Sequence, residues 1–265
     1  MPALISLKRT PVLINHSAKS GYQLRQYIRT ILTASAALCL ATGLSAHAGD
    51  DPALPQLSPA SQAVVAPVHE AFVKAEAEQA KLPPARTDSE QLERMLDLDQ
   101  AGRKVFVQID FSKLPKDEQL LAQSVAWRDI KTHDLADQKA LKAMMPVESW
   151  FTQPQYSPKA ITAAFLIVQH AVNDPDLMRD VLKRMEPLVK AGWADGPSYG
   201  LLYDRVSLQF DHKPQRYGSQ VQCKAGQWQP NDLEDPAHVD ERRKAMGYVE
   251  TEAEYLKHFT DNPCD

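Results

Sequence analysis

No stretch of the 265 residues stays apolar long enough to cross a membrane. The longest such run, Ile31 to Leu44, falls short of the roughly 20 residues a spanning helix needs. An integral membrane protein is therefore excluded, and the composition, 43% hydrophobic and 24% charged, is that of a soluble globular chain. Glycine is scarce, with 10 residues, and none of them builds a phosphate-cradling loop or the strand–turn–helix of a nucleotide site. His-x-x-x-His and His-Glu-x-x-His are both missing; His69, His133, His170, His212, His238 and His258 are scattered. With no Cys-x-x-Cys among the three cysteines either, no metal and no cofactor are expected. Finally, residues 1 to 48 contain no acidic residue at all.

That last absence identifies the leader. Lys8, Arg9, Lys19, Arg25 and Arg29 precede the apolar run, and Ala46-His47-Ala48 supplies the small residues of a cleavage site, so 1–48 reads as a signal peptide. A retained anchor is the alternative. The expected location is periplasmic or secreted, with no stable membrane insertion after cleavage. Taking those five from 30 Lys and Arg leaves 25 against 34 Asp and Glu, a mature charge of about −9. Nucleic acid and anionic lipid both need a surplus of cations, so neither is an expected partner. The two cysteines that survive cleavage, Cys223 and Cys264, are an even pair in an oxidising compartment and are expected to form a disulfide. Closing a loop of roughly 40 residues would add about 4 kcal/mol in the chain-entropy view.

Residues 49–86 hold Pro52, Pro55, Pro59, Pro67, Pro83 and Pro84 among many alanines and read as a stiff linker, with a short helix from about Ala66 to Lys81. Globular patterning occupies 87–265. Asp88 or Ser89 caps a helix whose Leu92, Met95, Leu96 and Leu98 recur at three- and four-residue spacing and which extends past Phe106. Two stretches, Lys116 to Ile130 and Leu135 to Met145, are separated by the polar junction Thr132-His133-Asp134. An aromatic loop with Trp150, Phe151 and Tyr156 follows, and Ser157-Pro158 opens an apolar helix, Ala160 to Val172, expected at the centre of the core. Further helices run from Pro175 to Lys190 and from about Ser198 to Phe210; Arg216 to Cys223 alternates like a strand, and Pro236 to Met246 and Glu252 to Phe259 close the chain. The fold class is mostly α, a multi-helix domain with a small β element near the C-terminus.

Polar residues inside apolar helical stretches must find partners, since each buried unsatisfied group costs roughly 1–3 kcal/mol. Three places meet that description: Asp99, Gln100 and Arg103; Gln169 and His170; Asp204 and Arg205. Asp99 lies four residues before Arg103, so their side chains meet.

Leu98-Asp99-Gln100 with Arg103, Val168-Gln169-His170-Ala171, Tyr203-Asp204-Arg205-Val206 and Gln215-Arg216-Tyr217-Gly218-Ser219-Gln220 resemble, in order and spacing, the bacterial domain of unknown function 6624 family. Glu234-Asp235-Pro236 with Val239-Asp240-Glu241-Arg242-Arg243 resembles that family's ending, and the likeness covers about Ser89 to Phe259. Ser219 stands where the family pattern has threonine, and Glu148-Ser149-Trp150 lacks the usual Gly-Trp-Pro turn. The resemblance implies a helical fold and a shared polar cluster, but no activity.

The leading expectation is an exported protein binding a small polar or anionic ligand through Asp99, Gln100, Arg103, Gln169, Arg205, Gln215, Tyr217, Gly218, Ser219 and Gln220. One alternative is a hydrolase in which His170 is the general acid or base and Asp204 orients it. The other is a structural or partner-binding envelope protein whose cluster only braces the helices. Gly196-Pro197-Ser198-Tyr199-Gly200 matches the serine-hydrolase string, but Pro197 suits a helix start and no strand precedes it, so a turn and cap is the better reading. Ser219, near Tyr217, is the other nucleophile candidate.

Overall fold

Each helix of the amino-terminal three quarters, except the third, begins at a side chain able to accept from an orphan backbone N–H. In the computed structural model, which describes residues 56–260 and Cys264, Ser58 accepts from the Ser61 N–H and opens α1 (Pro59–Gln79). Thr87, one residue before the expected cap, accepts from Glu90 and opens α2 (Asp88–Phe106). Ser157 opens α4 (Pro158–His170), Asp174 opens α5 (Pro175–Lys190) and Asp195 opens α6 (Gly196–Gln209). A proline occupies the first turn of α1, α4, α5 and α6, where its missing N–H costs nothing. The intervening α3 (Gln119–Met144) lacks a side-chain cap. A hairpin of β1 (Val221–Lys224) and β2 (Gln227–Pro230) and two short helices, α7 (Val239–Ala245) and α8 (Glu252–Thr260), complete the chain. The expected leader, 1–48, lies outside the described residues.

Three expectations need correction. The polar junction Thr132-His133-Asp134 does not break the chain into two helices, because each of its residues finds a partner along or across α3. Thr132 Oγ1 donates to the Arg128 carbonyl, His133 Nδ1 lies 2.9 Å from the Asp129 carbonyl, and Asp134 pairs with Arg103. The helix expected over 66–81 starts seven residues earlier, at Pro59, and it is packed rather than linking: Val65, Val68 and Phe72 are buried against α2 and α3. Pro67 sits inside it at the cost of one backbone bond, which that packing outweighs. The strand expected over 216–223 forms only from Val221, since Arg216 to Ser219 is drawn into a loop around Asp204.

Two apolar clusters result. The larger joins Leu92, Met95 and Leu96 of α2 to the buried α4, to α5 and α6, and to Trp150, Phe151 and Tyr156 of the ordered loop. The smaller packs α1 against Phe106 of α2 and against Ala122, Ala126 and Ile130 of α3. Gly102 makes the α1–α2 approach possible: a Cβ there would sit 2.1 Å from the Phe72 ring. No helix among the described residues is long and apolar enough to cross a membrane. Cys223 and Cys264 are bonded, with Cα atoms 5.5 Å apart, which fixes the carboxy-terminal tail to β1.

Candidate functional site

The stripe that buries α2 runs Leu92, Met95, Leu96, Asp99, Arg103, Phe106, so the helical period that places its apolar residues inside also places Asp99 and Arg103 there. The buried stripe of α3 runs Ala122, Ala126, Ile130, Asp134, Asp137, Gln138, Leu141 by the same period. Helix α4 ends between them, on Gln169 and His170. Five titratable side chains from three helices therefore share one interior.

His170 Nδ1 lies 2.7 Å from Asp99 Oδ1, and Gln100 Nε2 donates to Asp99 Oδ2 at 2.5 Å. Arg103 places Nε 3.6 Å from Asp99 Oδ1, donates from Nη2 to Asp134 Oδ1, and stands 5.3 Å above the Trp127 ring. Burial would raise the Asp99 carboxyl, but the charges of His170 and Arg103 and the bonds from His170 and Gln100 outweigh it and hold the group at about 2. Burial dominates at Asp134, lifting it against the pull of Arg103. Asp137 is pushed up to about 8, by burial first and then by the charges of Asp99 and Asp134. The arrangement thus keeps one carboxylate ionised beside an imidazole and another protonated near neutrality, which is the separation acid–base chemistry uses.

Several buried atoms of the cluster find no hydrogen-bond partner among the described residues: His170 Nε2, Asp137 Oδ2, and both amide atoms of the neighbouring Gln169. Asp99, Asp134 and His170 also each present a ligand atom within 4.8 Å of the other two.

Asp204 is elsewhere. It is wholly buried on α6, and its two oxygens accept from the N–H groups of Arg216 (2.7 Å), Tyr217 (3.0 Å) and Ser219 (3.0 Å) and from the Ser219 hydroxyl (2.8 Å). The expected His170–Asp204 pair is therefore corrected to His170–Asp99: the capacity of Asp204 is spent on the loop. Gln215 reinforces the loop, donating to the Gln220 and Asn231 carbonyls at 2.9 Å and accepting from the Gln220 N–H. Gly218 takes φ +64°, and a Cβ there would meet Glu252 at 2.7 Å. Tyr217 is buried with its ring 5.9 Å from Tyr203 and 6.2 Å from Tyr248. Arg243, placed by the sequence only in the ending that resembles the family, is fully buried and donates to the Tyr217 and Glu250 carbonyls. Of the expected ligand-binding residues, Gln215, Tyr217, Gly218, Ser219 and Gln220 thus belong to this braced loop, while Asp99, Gln100 and Arg103 surround His170. Arg205 lies between the groups, its Nη1 3.4 Å from the Gln169 carbonyl. Ser198 lies in the first turn of α6, where its N–H and its hydroxyl (2.6 Å) both donate to the capping Asp195, which agrees with the turn-and-cap reading of that string.

Asp134 was read as part of a polar junction and Asp137 was not singled out, although their spacing from Ile130 and to Leu141 continues the buried stripe. Following that period through the supposed junction would have found them.

Neither a curated protein nor a solved structure matches the chain. Residues 87–263, well over half of its length, match the family described as "Family of unknown function (DUF6624)", and the chain belongs to that family.

Proposed function

We propose that the chain is exported and that the cluster of Asp99, Arg103, Asp134, Asp137 and His170 binds a small polar ligand. The observation that carries the reading is the set of buried atoms without protein partners, His170 Nε2 and Asp137 Oδ2 foremost. Groups so buried are normally satisfied, at a cost of roughly 1–3 kcal/mol each when they are not, and a ligand with complementary donors and acceptors would recover it. Arg103, the one guanidinium of the cluster, already pairs with Asp99 and Asp134, which disfavours the anionic half of the original expectation and favours a neutral or cationic ligand. Export rests on the basic, acid-free leader and its apolar run; the Cys223–Cys264 bond agrees with an oxidising compartment.

The test is a thermal-shift screen of small polar metabolites on the mature chain and on His170→Gln. A compound at 100 times its Kd adds about 2.7 kcal/mol to the native state. The reading expects hits that the variant loses; a screen of neutral and cationic compounds that leaves the wild type unmoved contradicts it.

A second reading, a hydrolase-type enzyme, is favoured by one further observation. With Nδ1 engaged by Asp99, His170 leaves Nε2 to accept a proton from water or a substrate hydroxyl, the role of a general base whose orientation is set by a carboxylate. Asp99 takes the orienting part first assigned to Asp204. On this reading His170→Gln abolishes turnover of a cleavable substrate while the chain remains folded.

A further inference from the structure

We infer that the same cluster takes up a divalent first-row metal ion, with Asp99, Asp134 and His170 as its ligands and Asp137 on the next turn of α3. The inference deepens the ligand-site reading and rests on it. The three ligand atoms all lie within 4.8 Å of one another. Around a tetrahedral ion with bonds near 2.1 Å, ligand atoms stand about 3.4 Å apart, so side-chain rotations of about an ångström close the set. All three side chains are at least nine-tenths buried, which separates them from the exposed acidic patches common on surfaces.

A second observation points the same way. Asp137, 7% exposed and three residues after Asp134 on the same buried stripe of α3, leaves Oδ2 without a partner among the described residues. Asp99 and Asp134 share the Arg103 guanidinium, and His170 Nε2 is equally unpartnered. A metal ion would give these buried, unpartnered atoms a common partner. Mixed imidazole and carboxylate donors suit zinc or manganese better than magnesium or calcium, which prefer oxygen alone. Spacing in the sequence could not reveal such a site, because each ligand comes from a different helix.

Arg103 is the built-in competitor. Its guanidinium holds Asp134 and lies against Asp99, so metal binding requires it to swing off those carboxylates. Shortening it to a neutral side chain should therefore strengthen metal binding, whereas a purely structural salt bridge would give loss of stability and nothing else.

The experiment titrates ZnCl2 and MnCl2 into the mature chain, first stripped with a chelator, by calorimetry and by thermal shift. The expected result is saturable binding of one ion per chain with a raised Tm. Asp134→Asn and His170→Gln weaken it roughly 10-fold or more, and Arg103→Gln tightens it several-fold. Circular dichroism confirms that each variant is folded; should Asp134→Asn fail to fold, His170→Gln carries the comparison. Absence of saturable binding in both the wild type and Arg103→Gln overturns the inference, as does binding that neither ligand variant weakens. A chain that ignores both salts but is stabilised by small polar metabolites loses the metal and keeps the ligand site; a chain stabilised by neither loses both.

Discussion

His170 Nδ1 stands 2.7 Å from Asp99 Oδ1, joining two helices across 71 residues of sequence. Both side chains are almost completely buried, so the pair is a desolvated contact rather than a surface ion pair. Breaking it from one side leaves the remaining partners uncompensated. Asp99→Ala is expected to destabilise the chain by about 3–5 kcal/mol, because Arg103 and His170 both lose their shared carboxylate. Urea denaturation measures the loss, and a change below about 1 kcal/mol would show that the pair is not buried in solution.

Asp204 anchors a loop rather than a reaction. In Asp204→Asn the new amide group confronts N–H donors that an oxygen now satisfies, so a loss of about 2–3 kcal/mol is expected. Amide hydrogen exchange at Arg216, Tyr217 and Ser219 should rise together. Ligand binding at His170 should be retained wherever the variant is folded.

Stability should fall as pH rises towards 8. The folded chain holds a proton on Asp137 up to about 8, whereas the unfolded chain releases it near the ordinary value of 3.8. The folded state thus binds more protons between those values: the contribution is fully present below about 4 and is lost as pH climbs through about 8, with a slope of at most about 1.4 kcal/mol per pH unit. Asp134, also raised, acts in the same direction. Asp99, depressed to about 2, acts oppositely, contributing above 3.8 and losing that contribution as the solution is acidified towards 2. Denaturation curves from pH 4 to 8 in chelator-treated buffer should therefore slope downward for the wild type and flatten in Asp137→Asn.

The α1–α2 seam has no room for a methyl group at Gly102. Gly102→Ala is expected to cost about 1–3 kcal/mol through overpacking against Phe72. Combining it with Phe72→Leu should cost less than the two changes add up to, because the smaller side chain relieves the clash.

Much of the fold was legible because its signals are local. Ser157-Pro158 and Asp174-Pro175 mark helix starts by chemistry that needs no distant partner, and both helices begin there. Asp99 and His170 were legible as polar residues on apolar stripes. Their pairing was not. A sequence shows that a buried histidine needs a hydrogen-bond partner, but Asp99 and Asp204 could each supply one until the helices are packed. Asp134 and Asp137 were hidden because three consecutive polar residues, 132 to 134, resemble a loop, whereas bonds back along α3 and the contacts with Arg103 and Phe72 accommodate them in a continuous helix. The packing of α1 was likewise masked by its prolines, since Pro59 and Pro67 mark a broken chain wherever no neighbour compensates.

The central claim is that His170 presents its outer nitrogen to a ligand while Asp99 holds the inner one. Imidazole nitrogen NMR of the labelled chain tests it most directly, recorded alone and with the compound or ion that most raises the Tm. The account predicts that the Nε2 resonance of His170 shifts on saturation and that those of His212 and His238 stay in place. An unchanged His170 Nε2 resonance under saturating ligand would contradict it.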